Sequence, residues 1–132
     1  MVARRKSPPV REYMTRLPVE VEGIDTVGEA AKLMEGGGIR HIPVFSGSNL
    51  IGIVSERDIR EARLRLDNAS KVSLEEICTR DVATISPVAP VSDAVKTMLD
   101  RRIGSVVVVD GGFVVGIFTT TDALRVVSDF FH

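Results

Sequence analysis

The residues with the most chemical content come in two matching sets. Gly52-Ile-Val-Ser55-Glu-Arg-Asp58 is answered 64 positions later by Gly116-Ile-Phe-Thr119-Thr-Thr-Asp122. In each set a glycine lets another group approach the backbone of a strand. A hydroxyl residue stands at a strand-to-helix switch, and an Asp follows three residues on, in the first helical turn. One account is purely structural: a hydroxyl N-cap, with an acidic residue favoured by the helix dipole. The other is chemical. Free amides and a hydroxyl at a helix N-terminus bind phosphate, and a nearby carboxylate can accept both hydroxyls of a ribose, as in dinucleotide folds. Spaced this way and present twice, the elements suit a nucleoside phosphate.

Positioning them requires a strand, a sharp switch and a helix, and the chain supplies these twice. Shifted against itself by 64 residues, it aligns without a gap from Val10 to Arg60, with 13 of 51 positions identical. Glu12-x-x-Thr15-Arg16 falls on Glu76-x-x-Thr79-Arg80, and Val27, Ala30, Lys32 and Met34 fall on Val91, Ala94, Lys96 and Met98. This is a duplication. Each copy has a short leading segment (Val10–Met14; Leu74–Cys78) and a first strand (Val19–Val21; Val82–Ile85). A helix near Val27–Glu35 or Val91–Arg101 follows, with apolar residues at helical spacing. Asp25 or Thr26 can cap the first of these helices and Ser92 the second. Two β-rich runs then read as a hairpin: His41–Phe45 with Leu50–Val54, and Ser105–Val109 with Phe113–Phe118. Glu56–Leu66 and Thr121–Phe130 read as the closing helices.

The expected fold is α/β (α+β): two βαββα repeats related by pseudo-two-fold symmetry, with sheets face to face and helices outside. A half of about 60 residues buries too little surface to be secure alone, so the repeat explains stability before it explains function. The expected division is a flexible basic tail over 1–9, a first repeat over 10–66, a linker over 67–73 and a second repeat over 74–132. Gly36-Gly37-Gly38 follows a helix and reads as a C-terminal cap rather than a nucleotide loop.

Composition narrows the function classes. Of 132 residues, 44% are hydrophobic and 27% charged, with a net charge of −1. That argues against disorder and against a globally basic nucleic-acid binder. No apolar run approaches the roughly 20 residues that span a bilayer, and no secretory signal is visible, so a soluble, cytoplasmic protein is expected. The single cysteine, Cys78, forms no internal disulfide and reads as inert packing. No nucleophile–base–orienter set or metal cluster is visible, so the reading is of a non-enzyme with no cofactor. The run Arg57-x-x-Arg60-Glu-x-Arg63-x-Arg65 reads as a solvated helix face paired Glu56–Arg60 and Glu61–Arg65.

The motifs Met14-Thr15-Arg16, Ile39-Arg40-His41-Ile42-Pro43-Val44, Gly52-Ile53-Val54-Ser55-x-x-Asp58 and Gly116-Ile117-Phe118-Thr119-x-x-Asp122, in this order and twice, resemble a tandem pair of cystathionine-β-synthase (CBS) domains, a stand-alone Bateman module. The resemblance covers about residues 10–130. It implies two clefts between the repeats for adenine nucleotides (AMP, ADP or ATP) or S-adenosyl derivatives. Asp58 and Asp122 would bind ribose hydroxyls, and Ser55 and Thr119 would lie by phosphate. Adenine would sit against the strand edges near Val19–Val21 and Thr84–Ser86, which include Val19, Val21, Thr84 and Ile85. Arg40 and His41 would bring positive charge to phosphate, and Arg57 could reach it from the first site.

The halves differ in ways that bear on occupancy. Glu20 stands where the second repeat has Thr84, and a carboxylate there would repel an anionic ligand, so the site with Thr84 and Asp122 is expected to lead. Three functions follow from the resemblance: an adenine-nucleotide sensor reporting energy status, an S-adenosylmethionine sensor, or a constitutive dimerisation scaffold with empty clefts. The expected partners are an adenine nucleotide, a second copy in a homodimer packed through Val27, Ala31, Met34, Val91, Val95 and Met98, and a regulated protein that the sequence does not identify. Membrane and nucleic acid are not expected partners.

Overall fold

The alternation of helix-spaced and strand-spaced apolar residues becomes two compact units in the computed structural model, which describes residues 6–18, 21 and 23–131. One unit is residues 17–82. The other joins residues 83–132 to the chain's first 16 residues.

In the first unit, α1 (Val27–Gly37) opens at Thr26 with a reciprocal cap. The Thr26 side chain accepts from the Glu29 amide, and the Glu29 carboxylate accepts from the Thr26 amide. The helix ends at Gly38, left-handed at φ 70°. The three glycines thus finish the helix and cap it, as their position suggests. β1 (His41–Ser46) and β2 (Asn49–Ser55) form an antiparallel hairpin, and β2 runs straight into α2 (Glu56–Arg65). A 3-10 turn at Ala69–Lys71 and the short helix α3 (Leu74–Ile77) complete the unit. Val21, Val27, Ala30, Ile39, Ile42, Val44, Val54, Ile59 and Leu74 are among the residues that form its core.

The second unit repeats the plan with a third strand. β3 (Thr84–Ile85) pairs parallel to β4 (Ser105–Asp110), which pairs antiparallel to β5 (Phe113–Thr119). The helices are α4 (Val91–Arg101) and α5 (Thr120–Phe130). Both hairpins carry an irregularity at the same place, between Val44 and Phe45 and between Val108 and Val109, so the duplication extends to the strand defect. Val10, Ala83, Val91, Ala94, Met98, Val106, Val108 and Phe118 form the core.

The leading segments exchange. Residues 8–15 pack on the second repeat and residues 72–79 on the first, through equivalent bonds. Val91 N donates to Pro8 O and Val27 N to Val72 O. Val10 N donates to Ala89 O and Leu74 N to Asp25 O. Thr15 and Ile117 exchange both backbone bonds, as do Thr79 and Ile53.

Several sequence expectations change. Val19 and Glu20 lie outside the described residues. Val21, expected on a strand with them, instead sits in a turn, its amide donating to Pro18 O. Ser92 does not cap α4. The N-cap position is Pro90, which offers no side-chain acceptor, and Ser7 Oγ from the chain's start accepts the Ser92 amide instead. Ser7 and Pro8, assigned to a flexible tail, are thus hydrogen-bonded to a helix N-terminus. Arg60 pairs with Glu56 as expected, but Glu61 pairs with Arg57, not Arg65. The apolar faces expected to meet a second copy turn inward: Val27, Ala31, Val91 and Met98 are all buried in their own units. The exposed apolar side chains are others, including Leu99 on α4 and Leu124 and Val127 on α5, with Phe131 just beyond it. No helix among the described residues is long and apolar enough to cross a membrane.

Candidate functional site

Each candidate site is the corner where the second hairpin strand becomes a helix. The polypeptide turns there because a β-conformation hydroxyl residue can end a strand and cap a helix at once. At the first corner Ser55 Oγ accepts from the Asp58 amide at 3.1 Å, and Asp58 Oδ2 accepts from the Ser55 amide at 2.9 Å. At the second, Thr119 and Asp122 make the same reciprocal pair, at 3.3 and 2.9 Å. The structural reading of the motif therefore holds at both corners: the hydroxyl and the carboxylate are a capping box.

The first corner gathers more of the expected residues. His41 stands directly across the hairpin from Ser55 in the strand register. Arg40 O accepts the Glu56 amide, and the Arg40 guanidinium lies 3.6 Å from the Glu56 carboxylate. Arg40, His41, Ser55 and Asp58 thus meet at one strand–helix junction. Arg57 does not join them: its exposed side chain runs along the helix to Glu61. Asp58 is half-buried, and its Oδ1 has no hydrogen-bond partner among the described residues.

The second corner is closed. Asp122 is 0% exposed, the one buried charged side chain among the described residues. Its carboxylate accepts from the Thr119 amide, from Thr119 Oγ1, from Thr15 Oγ1 at 3.1 and 3.2 Å, and from Arg125 Nη1 at 3.1 Å. A ribose hydroxyl would have to displace one of these donors. The available carboxylate oxygen is thus at the Asp58 corner, whereas the sequence reading expects the Asp122 site to lead. Thr84 is exposed on edge strand β3, with β4 between it and β5, and Ile85 is half-buried against the unit's core.

Two residues of the second corner carry no role in the sequence reading. Thr15 was visible in the repeated Glu-x-x-Thr-Arg motif, but its partner 107 residues away was not. Arg125 is offset by a letter change: the first repeat has Glu61 at its counterpart. Cys78 lies against the backbone of Gly52, and burial pushes its thiol above the usual range, as suits inert packing. A groove of about 300 Å³ between α1 and α2 has an apolar floor of Ala31, Met34 and Ile59 and a rim of Glu35, Glu56, Arg60 and Arg63. Neither Ser55 nor Asp58 lines it. No group of three or more His, Cys, Asp or Glu among the described residues could hold a metal ion.

Comparison with known proteins bears on this geometry. The family model described as CBS domain matches residues 10–65 and again 74–129. An uncharacterized protein of Methanocaldococcus jannaschii, MJ1232, is 38% identical over 104 residues, which is 78% of this chain and 34% of that protein. Inosine-5′-monophosphate dehydrogenase of Korarchaeum cryptofilum is 34% identical over 111 residues, 83% of this chain and 22% of the enzyme. The chain thus spans about a third of the first of these curated relatives and about a fifth of the second. Among solved structures, the CBS domain pair of protein MJ0100, in complex with 5′-methylthioadenosine and S-adenosyl-L-methionine, superimposes with a TM-score of 0.75 at 31% identity. It covers 93% of this chain and 98% of that one.

Proposed function

The chain belongs to the CBS domain family, as two tandem copies, and from that premise we propose that it is a regulatory module that reversibly binds an adenosine-containing ligand at the Ser55–Asp58 corner. The carrying observation is the half-buried Asp58, whose Oδ1 is available to a ribose hydroxyl while Oδ2 holds the helix cap. Adenosine is the moiety shared by AMP, ADP, ATP and S-adenosylmethionine. The neighbouring MJ0100 pair, bound to two adenosyl compounds, supports that end of the ligand. Arg40 and His41 at the same corner favour an adenine nucleotide over the sulfonium ligand, because they bring cationic capacity to where a phosphate would extend. The module carries no chemistry of its own in this reading. It reports ligand level, and so energy status, to a protein it regulates in the cytoplasm.

A homodimer is part of the proposal, with the surface reassigned. Leu124, Val127 and Phe131 recur at helical spacing and are 63%, 51% and 82% exposed, a stripe suited to a second copy. Light scattering at tens of micromolar should give twice the chain mass, and a monomer mass would reject it.

The closed state of Asp122 favours one alternative, a scaffold whose sites stay empty. A thermal-shift panel of adenine nucleotides, guanine nucleotides and S-adenosylmethionine separates the two, because a ligand that prefers the folded state raises apparent stability. A shift with adenine compounds that is lost in Asp58→Ala supports the sensor. No shift with any of them supports the scaffold.

A further inference from the structure

The two repeats carry the same ribose motif, yet their carboxylates are in opposite states. Asp58 keeps one oxygen without a partner among the described residues. Asp122 has both oxygens engaged and no exposed surface. The difference comes from two side chains. Thr15 arrives on the leading segment, fixed by its two backbone bonds to Ile117, and donates its hydroxyl to the Asp122 carboxylate. Arg125, one turn further along α5, closes the other side. At the first corner the counterpart of Thr15 is Thr79, which makes the equivalent backbone bonds to Ile53, but no hydrogen bond joins its side chain to Asp58. The counterpart of Arg125 is Glu61, an acid that cannot pair with Asp58 and instead takes Arg57.

We propose that Thr15 and Arg125 form a latch on Asp122 that restricts adenosyl-ligand binding to the Asp58 corner, so that the chain carries one working site and one latched one. The assignment rests on the proposed function and adds which site works and what holds the other shut. A carboxylate can serve only as many donors as its lone pairs allow, and a buried one gives up a satisfied bond only for an equivalent replacement. A ribose hydroxyl at Asp122 must displace one of these donors, Thr15 on the segment paired with β5 or Arg125 on α5. At Asp58 it displaces nothing.

The test is binding stoichiometry by calorimetry with 5′-methylthioadenosine, which has the adenosine end and no phosphate, so the cationic residues do not complicate it. The wild-type chain should bind one equivalent, lost in Asp58→Ala. The double variant Thr15→Val/Arg125→Ala should bind two, and adding Asp122→Ala should return it to one. If removing Thr15 compromises folding, the reverse graft serves instead. Glu61→Arg supplies the missing half of the latch beside Thr79 on an exposed helix face, and it should weaken 5′-methylthioadenosine at the Asp58 corner at least tenfold. One equivalent in the unlatched double variant, or unchanged affinity in Glu61→Arg, overturns the latch while leaving the sensor intact. No binding of 5′-methylthioadenosine or AMP by the wild type or any variant overturns the sensor, and the latch with it.

Discussion

Gly116 and Thr15 approach so closely that a Cβ on the glycine would lie 2.8 Å from the Thr15 carbonyl oxygen. Gly52 stands in the same relation to Thr79, at 2.7 Å. Neither glycine is needed for an unusual φ. Each is needed for space, because the leading segment of one repeat pairs with the backbone of the other repeat's strand. Backbone cannot yield as a flexible side chain can. Gly116→Ala and Gly52→Ala should therefore each destabilise the fold by about 1–3 kcal/mol, the range for overpacking. Urea denaturation gives the value, with the loss expected to be similar at the two positions.

The N-terminus of α4 depends on a residue far away in sequence. Pro90 cannot cap the helix with a side chain, and Ser7 Oγ accepts the Ser92 amide at 3.0 Å. Ser7→Ala should cost about 1 kcal/mol, in the range for loss of a helix cap. Ser92→Ala, by contrast, should be nearly neutral, because its side chain caps nothing. Thermal melts of the two variants distinguish a cap delivered across the unit from one at Ser92 itself.

The elements whose signals are local were legible in the sequence. Val91–Arg101 is helical over the bounds read from its periodicity, and the two hairpins fall where Gly47 and Gly111-Gly112 permit positive φ. The exchange of leading segments was not legible. Residues 8–15 and 72–79 resemble each other, and each repeat offers a strand glycine to receive either, so local propensity cannot say which copy pairs with which. The difference between the corners was present as letters, Arg125 against Glu61. Its meaning depends on Thr15 reaching Asp122, a contact that no periodicity encodes. The inward turn of Val27, Ala31, Val91 and Met98 shows a related limit: an apolar helix stripe identifies a buried face but not whether its own unit or a second copy buries it.

The two long first helices end with the same geometry and different residues. Gly38 closes α1 at φ 70°, and Arg102 closes α4 at φ 54°. The left-handed conformation costs a residue with a Cβ roughly 1–2 kcal/mol that glycine does not pay. Arg102→Gly should raise stability by about 1 kcal/mol, less a few tenths for the greater freedom glycine gives the unfolded chain. Gly38→Ala should lower it by about the same amount. Opposite signs in paired denaturation curves are the expected result, and equal signs would mean that another interaction of Arg102 outweighs the backbone.

The capping box of α1 makes part of the fold's stability sensitive to acid. The Thr26 hydroxyl, and then the Asp25 and Thr26 amides, hold the Glu29 carboxyl below its ordinary value of 4.5. A carboxylate whose folded value is lowered contributes stability that is fully present above the unfolded value and is lost as pH falls through the folded one. Glu29→Ala should therefore melt at a lower temperature than wild type at pH 6. The gap should narrow as the pH drops below about 4.5, because protonation removes the charge that the amides and hydroxyl favour. The side chain is exposed, so the whole effect is small and weakens with salt. Melting curves from pH 6 to pH 3 at low ionic strength give the measurement. A gap that stays constant across that range would mean that Glu29 supports the cap through interactions that do not depend on its charge, because helix propensity alone would favour Ala.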